Sequence, residues 1–92
     1  METDEQLCIH LQGVVQGVGM RYYVRDLAHK MGLHGYVQNT ADGRVKCVVR
    51  GEKSRLALFV DSLKTAPRGR VDHVEVEKCS DKEEFSHFNI RF

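Results

Sequence analysis

A glycine-rich stretch near the N-terminus combines the residue types of an anion-binding loop. It runs from Gly13 to Arg21, with further glycines at 17 and 19, between an alternating apolar segment and a helical pattern. Because glycine lets the backbone curl until successive N–H groups point at one spot, such a loop can bind an anion. A helix N-terminus adds partial positive charge, and an arginine adds a forked cation that matches phosphate oxygens. The stretch therefore predicts an oxyanion site, with phosphate as the favoured ligand.

A tight strand-to-helix turn, with Arg21 solvated at the helix start, is the structural alternative for the same stretch. The spacing matches neither G-x-x-x-x-G-K-[ST] nor G-x-G-x-x-G, so nucleotide loops of those two kinds are not predicted. A cation at a helix N-terminus is unfavourable by about 0.3–1 kcal/mol, and a bound anion would offset that cost. The placement of Arg21 thus favours the anion-binding interpretation.

Asn39 is the second residue that could do chemistry. It ends the run Gly35–Asn39, just ahead of the turn signal Asp42-Gly43. An asparagine amide carries an acceptor oxygen and a donor nitrogen, so it can hold a nucleophilic water. Asparagines before turns more commonly bond their own backbone. From this residue alone, both interpretations stay open.

The elements that must position these residues follow from hydrophobic periodicity. Alternation predicts strands, and apolar residues three and four positions apart predict amphipathic helices. In chain order, the predicted elements are a strand around 7–12, a helix over about 21–31, strands at 35–39 and 45–50, a helix over about 53–65, a strand at 71–77, a loop at 79–86 and a short strand at 88–92. This order predicts an α+β, ferredoxin-like βαββαβ sandwich, with an antiparallel-rich sheet and two helices on one face.

Further expectations concern the ends and edges of this fold. The chain of 92 residues is expected to form a single domain over 1–92, with residues 1–6 flexible. Val74 and Val76 are expected to point inward, and Arg68 and Arg70 to lie in a solvated loop. The four phenylalanines are assigned to core positions; they are Phe59, Phe85, Phe88 and Phe92.

Composition and charge exclude several classes of function. The net charge of +1 gives no field suited to nucleic acid or a membrane surface, and no apolar run approaches the roughly 18 residues of a membrane span. The acidic, polar N-terminus does not resemble a signal peptide, so a cytoplasmic location is expected. The predicted outer faces of strands one and three lack aromatic residues, which disfavours RNA stacking. A monomer is expected.

Cysteine and histidine spacing predicts neither a metal site nor a disulfide framework. No C-x-x-C, H-x-x-x-H or H-E-x-x-H pattern occurs. Strand parity places Cys8 and Cys47 on opposite faces of the sheet, which argues against a bridge between them. No metal and no cofactor are therefore expected.

Two multi-residue motifs resemble the signatures of the acylphosphatase family. The first is Leu11-x-Gly13-x-Val15-Gln16-Gly17-Val18-x-Met20-Arg21. The second is Gly35-Tyr36-Val37-Gln38-Asn39-x-x-x-Gly43-x-Val45, followed by Gly51. The closing Phe88-Asn89-Ile90-Arg91-Phe92 is similar to the last strand of the family. The resemblance spans essentially the whole chain, and it implies the same ferredoxin-like fold.

The resemblance also implies an activity and roles for particular residues. Acylphosphatases hydrolyse the carboxyl-phosphate bond of small acyl phosphates without a metal, giving a carboxylate and inorganic phosphate. By similarity, Asn39 positions the attacking water, and Arg21 acts with the loop N–H groups on the phosphoryl oxygens. The implied phosphate-binding residues are Val15, Gln16, Gly17, Val18, Gly19, Met20 and Arg21. The side chain of Gln16 is expected mainly to shape the loop.

A non-catalytic module of the same fold is the alternative. It would bind a phosphorylated ligand or protein, as a phosphate-binding or regulatory domain, through the same loop. Phosphate binding without turnover would distinguish it from the enzyme.

Overall fold

The computed structural model describes residues 4–79 and 83–92 and has the predicted order of elements. These are β1 (Asp4–Val14), α1 (Met20–Lys30), β2 (His34–Asn39), β3 (Val45–Glu52), α2 (Lys53–Lys64), β4 (Arg70–Lys78) and β5 (Phe88–Arg91). The βαββαβ prediction is confirmed, with β5 as the short additional strand.

One five-stranded sheet, in the order β4-β1-β3-β2-β5, positions the site. β1 pairs antiparallel with β3 and β4, β2 pairs antiparallel with β3, and β2 pairs parallel with β5. Because β1 and β2 are both antiparallel to β3, they run in the same direction as each other and as β5. The carboxyl ends of these three strands therefore meet at one end of the sheet, where α1 begins.

Both helices pack on one face of the sheet, as the sequence predicts. α1 buries residues four apart, Met20, Val24 and Ala28, and this spacing forms an apolar stripe along a helix. α2 contributes a buried stripe that includes Phe59, which has no exposed surface. The sheet supplies alternate residues to this core, among them Ile9, Leu11, Val37, Val45, Cys47 and Val49.

The opposite face of the sheet is covered in part by the segment before β5. The ring of Phe85 lies 5.8 Å from that of Tyr36, and the Arg91 guanidinium lies 3.6 Å above the Tyr36 ring. Tyr36 is consequently only 5% exposed. Phe85 is thus half-buried on this face and does not lie in the core between sheet and helices. Cys8 and Cys47 lie on opposite faces, as strand parity predicts.

The sequence-based expectations are wrong at the chain ends and at one sheet edge. Asp4–Gln6 pair with β3 and extend β1, although residues 1–6 are expected to be flexible; residues 1–3 lie outside the described residues. Val76 is 44% exposed because β4 is an edge strand, even though it shares a face with inward residues of β1. Phe92 is 93% exposed because it follows β5, beyond the region that the helices cover.

Candidate active site

The loop that joins β1 to α1, residues 15–19, turns sharply at two glycines. Gly17 and Gly19 have φ angles of +74° and +80°, in the left-handed region that residues with a Cβ rarely adopt. Val15 and Met20, on either side, are each 1% exposed, so the loop is anchored in the core at both ends. The glycines therefore let the backbone turn sharply between two fixed points.

The N-terminus of α1 leaves its backbone donors unpaired. Gly19 is the N-cap, no side chain caps the helix, and no acidic residue lies in its first turn. Within the part of the chain that the structure describes, the N–H groups of residues 16–20 donate to no other group, and the first helical bond runs from the Tyr23 N–H to the Gly19 carbonyl. Unpaired N–H groups at the positive end of a helix bind anions.

Arg21 lies in this first turn and is half-buried. No carboxylate among residues 4–79 and 83–92 forms an ion pair with it. Its guanidinium carbon is 4.8 Å from the centroid of the Phe92 ring, a cation–π contact. The arginine therefore keeps its hydrogen-bonding edge available to an oxyanion at the start of the helix.

Asn39 ends β2 at the same end of the sheet. It shares its face with Val37, and its partner in β3 is Val45; both of these residues are fully buried beneath the helices. The Oδ1 atom of Asn39 is buried and accepts no hydrogen bond in the described residues. A buried acceptor without a donor is unfavourable by about 1–3 kcal/mol. The Asn39 side chain forms no hydrogen bond with the backbone of its own turn in the described residues. The interpretation of Asn39 as a turn-forming asparagine is therefore not supported.

The turn between β2 and β3, residues 40–44, is held by other side chains. A carboxylate oxygen of Asp42 accepts the Thr40 hydroxyl and, at 3.3 Å, the Arg44 N–H. These bonds, the one from Thr40 foremost, hold the pKa of the Asp42 carboxyl below its ordinary value. The side chain of Asp42 thus forms the hydrogen bonds that stabilise the turn, and the side chain of Asn39 is not needed for them.

Gln16 connects the β1–α1 loop to the β2–β3 turn. Its Nε2 atom donates to the Thr40 carbonyl at 2.9 Å and to the Arg44 carbonyl at 2.8 Å. With both amide hydrogens used in this way, its side chain shapes the loop, while its backbone N–H stays among the unpaired donors. The same two bonds keep the loop and the end of β2 at a fixed separation.

Two residues near the loop have positions that the sequence did not indicate. The Cδ atom of Arg68 lies 4.0 Å from the place a Cβ on Gly19 would occupy, whereas Arg70 pairs with Asp72 at 2.7 Å. Arg68 and Arg70 therefore do not act as one solvated pair. Phe92 contacts Arg21 rather than the core. The alternation of apolar residues indicates that Phe92 lies at the end of the last strand. It does not indicate that the Phe92 side chain is exposed.

Three further properties of the described residues bear on the kind of site. No group of three or more His, Cys, Asp or Glu side chains within 4–79 and 83–92 is arranged to hold a metal ion. No helix in those ranges is both long and apolar enough to cross a bilayer. Burial raises the pKa of the Cys47 thiol strongly, because the thiolate would lose its hydration in the core.

Comparisons with known proteins indicate the same family. The family model for acylphosphatase matches residues 7–90. An acylphosphatase of Lactobacillus gasseri is 40% identical over 80 residues, which cover 85% of this chain and 88% of that protein. The crystal structure of acylphosphatase from Bacillus subtilis has a TM-score of 0.89 at 35% identity, and covers 98% of this chain and 100% of its own.

A second kind of structural relative contains the same fold as a small part of a larger protein. The structure of HypF from T. kodakarensis matches all of this chain with a TM-score of 0.82 and 31% identity, over only 12% of its own length. The fold is thus shared with a protein of similar length and with a small part of a larger one. On the family match and on these identities, the chain belongs to the acylphosphatase family.

Proposed function

We propose that this protein hydrolyses acyl phosphates to a carboxylate and inorganic phosphate. The observation that carries the proposal is that uncapped N–H donors at the start of α1 and the side chain of Asn39, which has no hydrogen-bond partner for its Oδ1 atom in the described residues, lie at the same end of the sheet. The N–H groups of residues 15–20 and the Arg21 guanidinium hold the phosphoryl oxygens. The side-chain amide of Asn39 holds a water molecule, and the oxygen of this water faces phosphorus.

The reaction suits a site with no nucleophilic side chain. Water attacks phosphorus, the bond between phosphorus and the carboxylate oxygen breaks, and a proton from the water passes to the phosphate. The carboxylate is a good leaving group, and the phosphoryl transition state is loose, with charge on its equatorial oxygens. Catalysis then consists mainly of positioning and of charge stabilisation by Arg21 and the loop donors.

We further propose that the protein acts as a monomer in the cytoplasm and requires no metal or cofactor. The cysteines Cys8, Cys47 and Cys79 form no disulfide, and reduced thiols are typical of a reducing compartment.

Phosphate release from acetyl phosphate tests the proposal. We expect turnover that is unchanged by a chelator, and competitive inhibition by inorganic phosphate. Binding of phosphate without turnover of acetyl or benzoyl phosphate would contradict the proposal and support the non-catalytic alternative. Loss of turnover in chelator, restored by a divalent cation, would contradict the metal-independent mechanism.

A further inference from the structure

Cys8 and Cys79 lie close together on the face of the sheet opposite the helices. Cys8 is the partner of Glu77 in β4, and the backbone N–H of Cys79 donates to the Gln6 carbonyl at 3.0 Å. Gln6 and Cys8 are two residues apart, as are Glu77 and Cys79, so alternation places all four side chains on one face. The two cysteines are therefore diagonal neighbours across the pairing of β1 with β4.

Both cysteines line one cavity of about 230 Å³. Each of them is half-buried, and Tyr36 and Val48 form part of the wall on the side of β2 and β3. The proposed active site lies on the other face, where α1 packs, and none of the residues lining this cavity is assigned to it. The cavity is therefore a separate feature of the molecule, with two sulfur atoms in its lining.

The spacing of the two cysteines suits an ion between the sulfurs better than a disulfide. Diagonal neighbours in an antiparallel pair have Cα atoms about 7–8 Å apart, and Cα atoms more than about 7 Å apart form no disulfide unless the backbone moves. The sulfurs of a disulfide are about 2 Å apart, whereas two sulfurs on opposite sides of a metal ion are separated by roughly twice a bond of about 2.3 Å. The longer separation is the one that this diagonal arrangement allows.

The number and the type of the ligands indicate which ion would bind. Within residues 4–79 and 83–92, no set of three or more His, Cys, Asp or Glu side chains is arranged around a metal ion. Structural Zn²⁺ sites use four ligands, and Mg²⁺ and Ca²⁺ require oxygen ligands in larger number. Thiolates select soft cations such as Cu(I), which is stable with two sulfur ligands. A site of two cysteines therefore fits Cu(I).

The charged residues that line the cavity are compatible with this ion. Cu(I) between two thiolates carries a single net negative charge. Lys46, Lys78 and Glu77 line the cavity, and Lys78 forms an ion pair with Glu5 at 3.7 Å. No carboxylate in the described residues forms an ion pair with Lys46, whose ammonium lies 6.0 Å from the centroid of the Tyr36 ring. Lys46 can therefore offset the charge of the bound ion.

We propose that Cys8 and Cys79 form a two-thiolate binding site for one Cu(I) ion. Each thiol releases its proton to solvent as its sulfur binds the metal, so binding requires neither an oxidant nor a reductant. The inference goes beyond the proposed hydrolysis of acyl phosphates and does not depend on it, because the two sites lie on opposite faces of the sheet and share no residue.

Anaerobic titration of the reduced protein with Cu(I), in competition with the chromogenic chelator bicinchoninate, tests this proposal. We expect one Cu(I) per chain, bound tightly enough to be withdrawn from the chelator. Cys8→Ser and Cys79→Ser should each weaken the affinity about 100-fold or more, because the loss of a group that merely supports a metal ligand already costs about 10–100-fold. Far-UV circular dichroism and thermal unfolding establish that each variant is folded.

The third cysteine provides the matched control. Cys47 is fully buried on the helix side of the sheet, so Cys47→Ala should bind Cu(I) with the affinity and stoichiometry of the wild type. A second measurement uses the wild-type protein alone and does not depend on the folding of any variant. Bound Cu(I) should protect Cys8 and Cys79 together from alkylation by iodoacetamide, as detected by mass spectrometry of their peptides.

Four results would overturn the inference. They are a wild-type protein that does not compete with bicinchoninate, affinity that survives in Cys8→Ser or Cys79→Ser, Cu(I) that leaves either cysteine open to alkylation, and Cu(I) that joins two chains into a dimer on size-exclusion chromatography. None of these measurements involves acyl phosphates. Failure of the copper site therefore leaves the proposed function intact, and a protein that does not hydrolyse acetyl phosphate can still bind Cu(I).

Discussion

The β1–α1 loop and the β2–β3 turn lie at the same end of the sheet but differ in how their polar groups are satisfied. The charge of the turn is paired, since Arg44 forms ion pairs with Asp42 in the turn at 2.9 Å and with Glu75 on β4 at 3.2 Å. The loop leaves its N–H groups unpaired, and Arg21 has no carboxylate partner within residues 4–79 and 83–92. The turn contains Arg44 and the loop is followed closely by Arg21, so the two differ in the partners of the arginine and not in its charge. The turn satisfies most of its polar groups with protein partners, and the loop keeps the unpaired donors that the proposed phosphate site requires.

Replacing the unpaired arginine should have the largest effect. Arg21→Ala is expected to lower kcat/KM for acetyl phosphate about 10³-fold, because one charge-stabilising donor to a transition-state oxyanion contributes on that scale. The free energy of unfolding should not fall, since the variant removes a cation from a helix N-terminus. Steady-state kinetics and thermal unfolding measure the two quantities. Activity within tenfold of the wild type would contradict the role of Arg21.

The matched control lies in the turn. Arg44→Ala removes an arginine whose charge is paired, and it leaves in place the Arg44 carbonyl that Gln16 binds. Its kcat/KM should stay within about threefold of the wild type. A loss as large as that of Arg21→Ala would mean that the two segments do not differ as described.

Asn39→Ala tests the residue where loop and turn meet. We expect kcat to fall about 10²-fold through loss of water positioning, while the inhibition constant of inorganic phosphate changes less than about threefold. Because the substitution removes a buried acceptor without a donor, the free energy of unfolding should rise by about 1 kcal/mol. Gln38→Ala, one residue earlier on the other face of β2, is the control. Equal effects of the two variants would exclude a specific role for Asn39.

Gln16→Ala tests the connection between loop and turn. Its two hydrogen bonds fix the loop relative to the end of β2, so we expect a roughly tenfold loss of kcat/KM. The free energy of unfolding should fall by about 1 kcal/mol, since the two carbonyls keep other partners within the turn. Gln12→Ala, an exposed glutamine on β1, should change neither quantity. A stability loss without an activity loss would limit Gln16 to a structural role.

The smallest effect concerns the pH response of the turn. The pKa of Asp42 is lowered by its bonds to Thr40 and Arg44, so the stabilisation from these bonds is present above the ordinary carboxyl pKa and is lost as pH falls through the lowered value. Carbon-13 NMR titration should place this carboxyl below an ordinary aspartate, and Arg44→Ala should raise it. A titration that the variant does not change would show that Arg44 contributes nothing to the shift.

The fold and the loop could be predicted because their signals are local. Alternation from Leu7 to Gln12 and the three- and four-residue spacing from Val24 to Met31 each lie within one element. The oxyanion prediction for Gly13–Arg21 rests on neighbouring residues, and the loop has the left-handed glycines it needs. The role proposed for Asn39 followed from family resemblance, because an asparagine before a turn more commonly bonds its own backbone.

The remaining features depend on residues far apart in the sequence. The carbonyls that Gln16 binds lie 24 and 28 residues away, so no local pattern reveals them. Periodicity assigned Val76 and Phe92 to the interior. Burial also requires a neighbouring element that packs over the side chain, and at the edge strand β4 and after the end of β5 these two side chains stay exposed. The ion pair that separates Arg70 from Arg68 is likewise a property of the folded chain.

The position of β1 between two other strands has a consequence for how quickly the protein folds. Leu11 pairs with Val45 on one side and with Val74 on the other. The pairing of β1 during folding therefore requires segments that are distant in the sequence. Folds dominated by such distant contacts close large loops before they gain stability, and they reach the native state slowly. Gln16 joins the β1–α1 loop to a turn that exists only after β2 and β3 have paired. In a refolding experiment, enzymatic activity should therefore return no earlier than the full sheet.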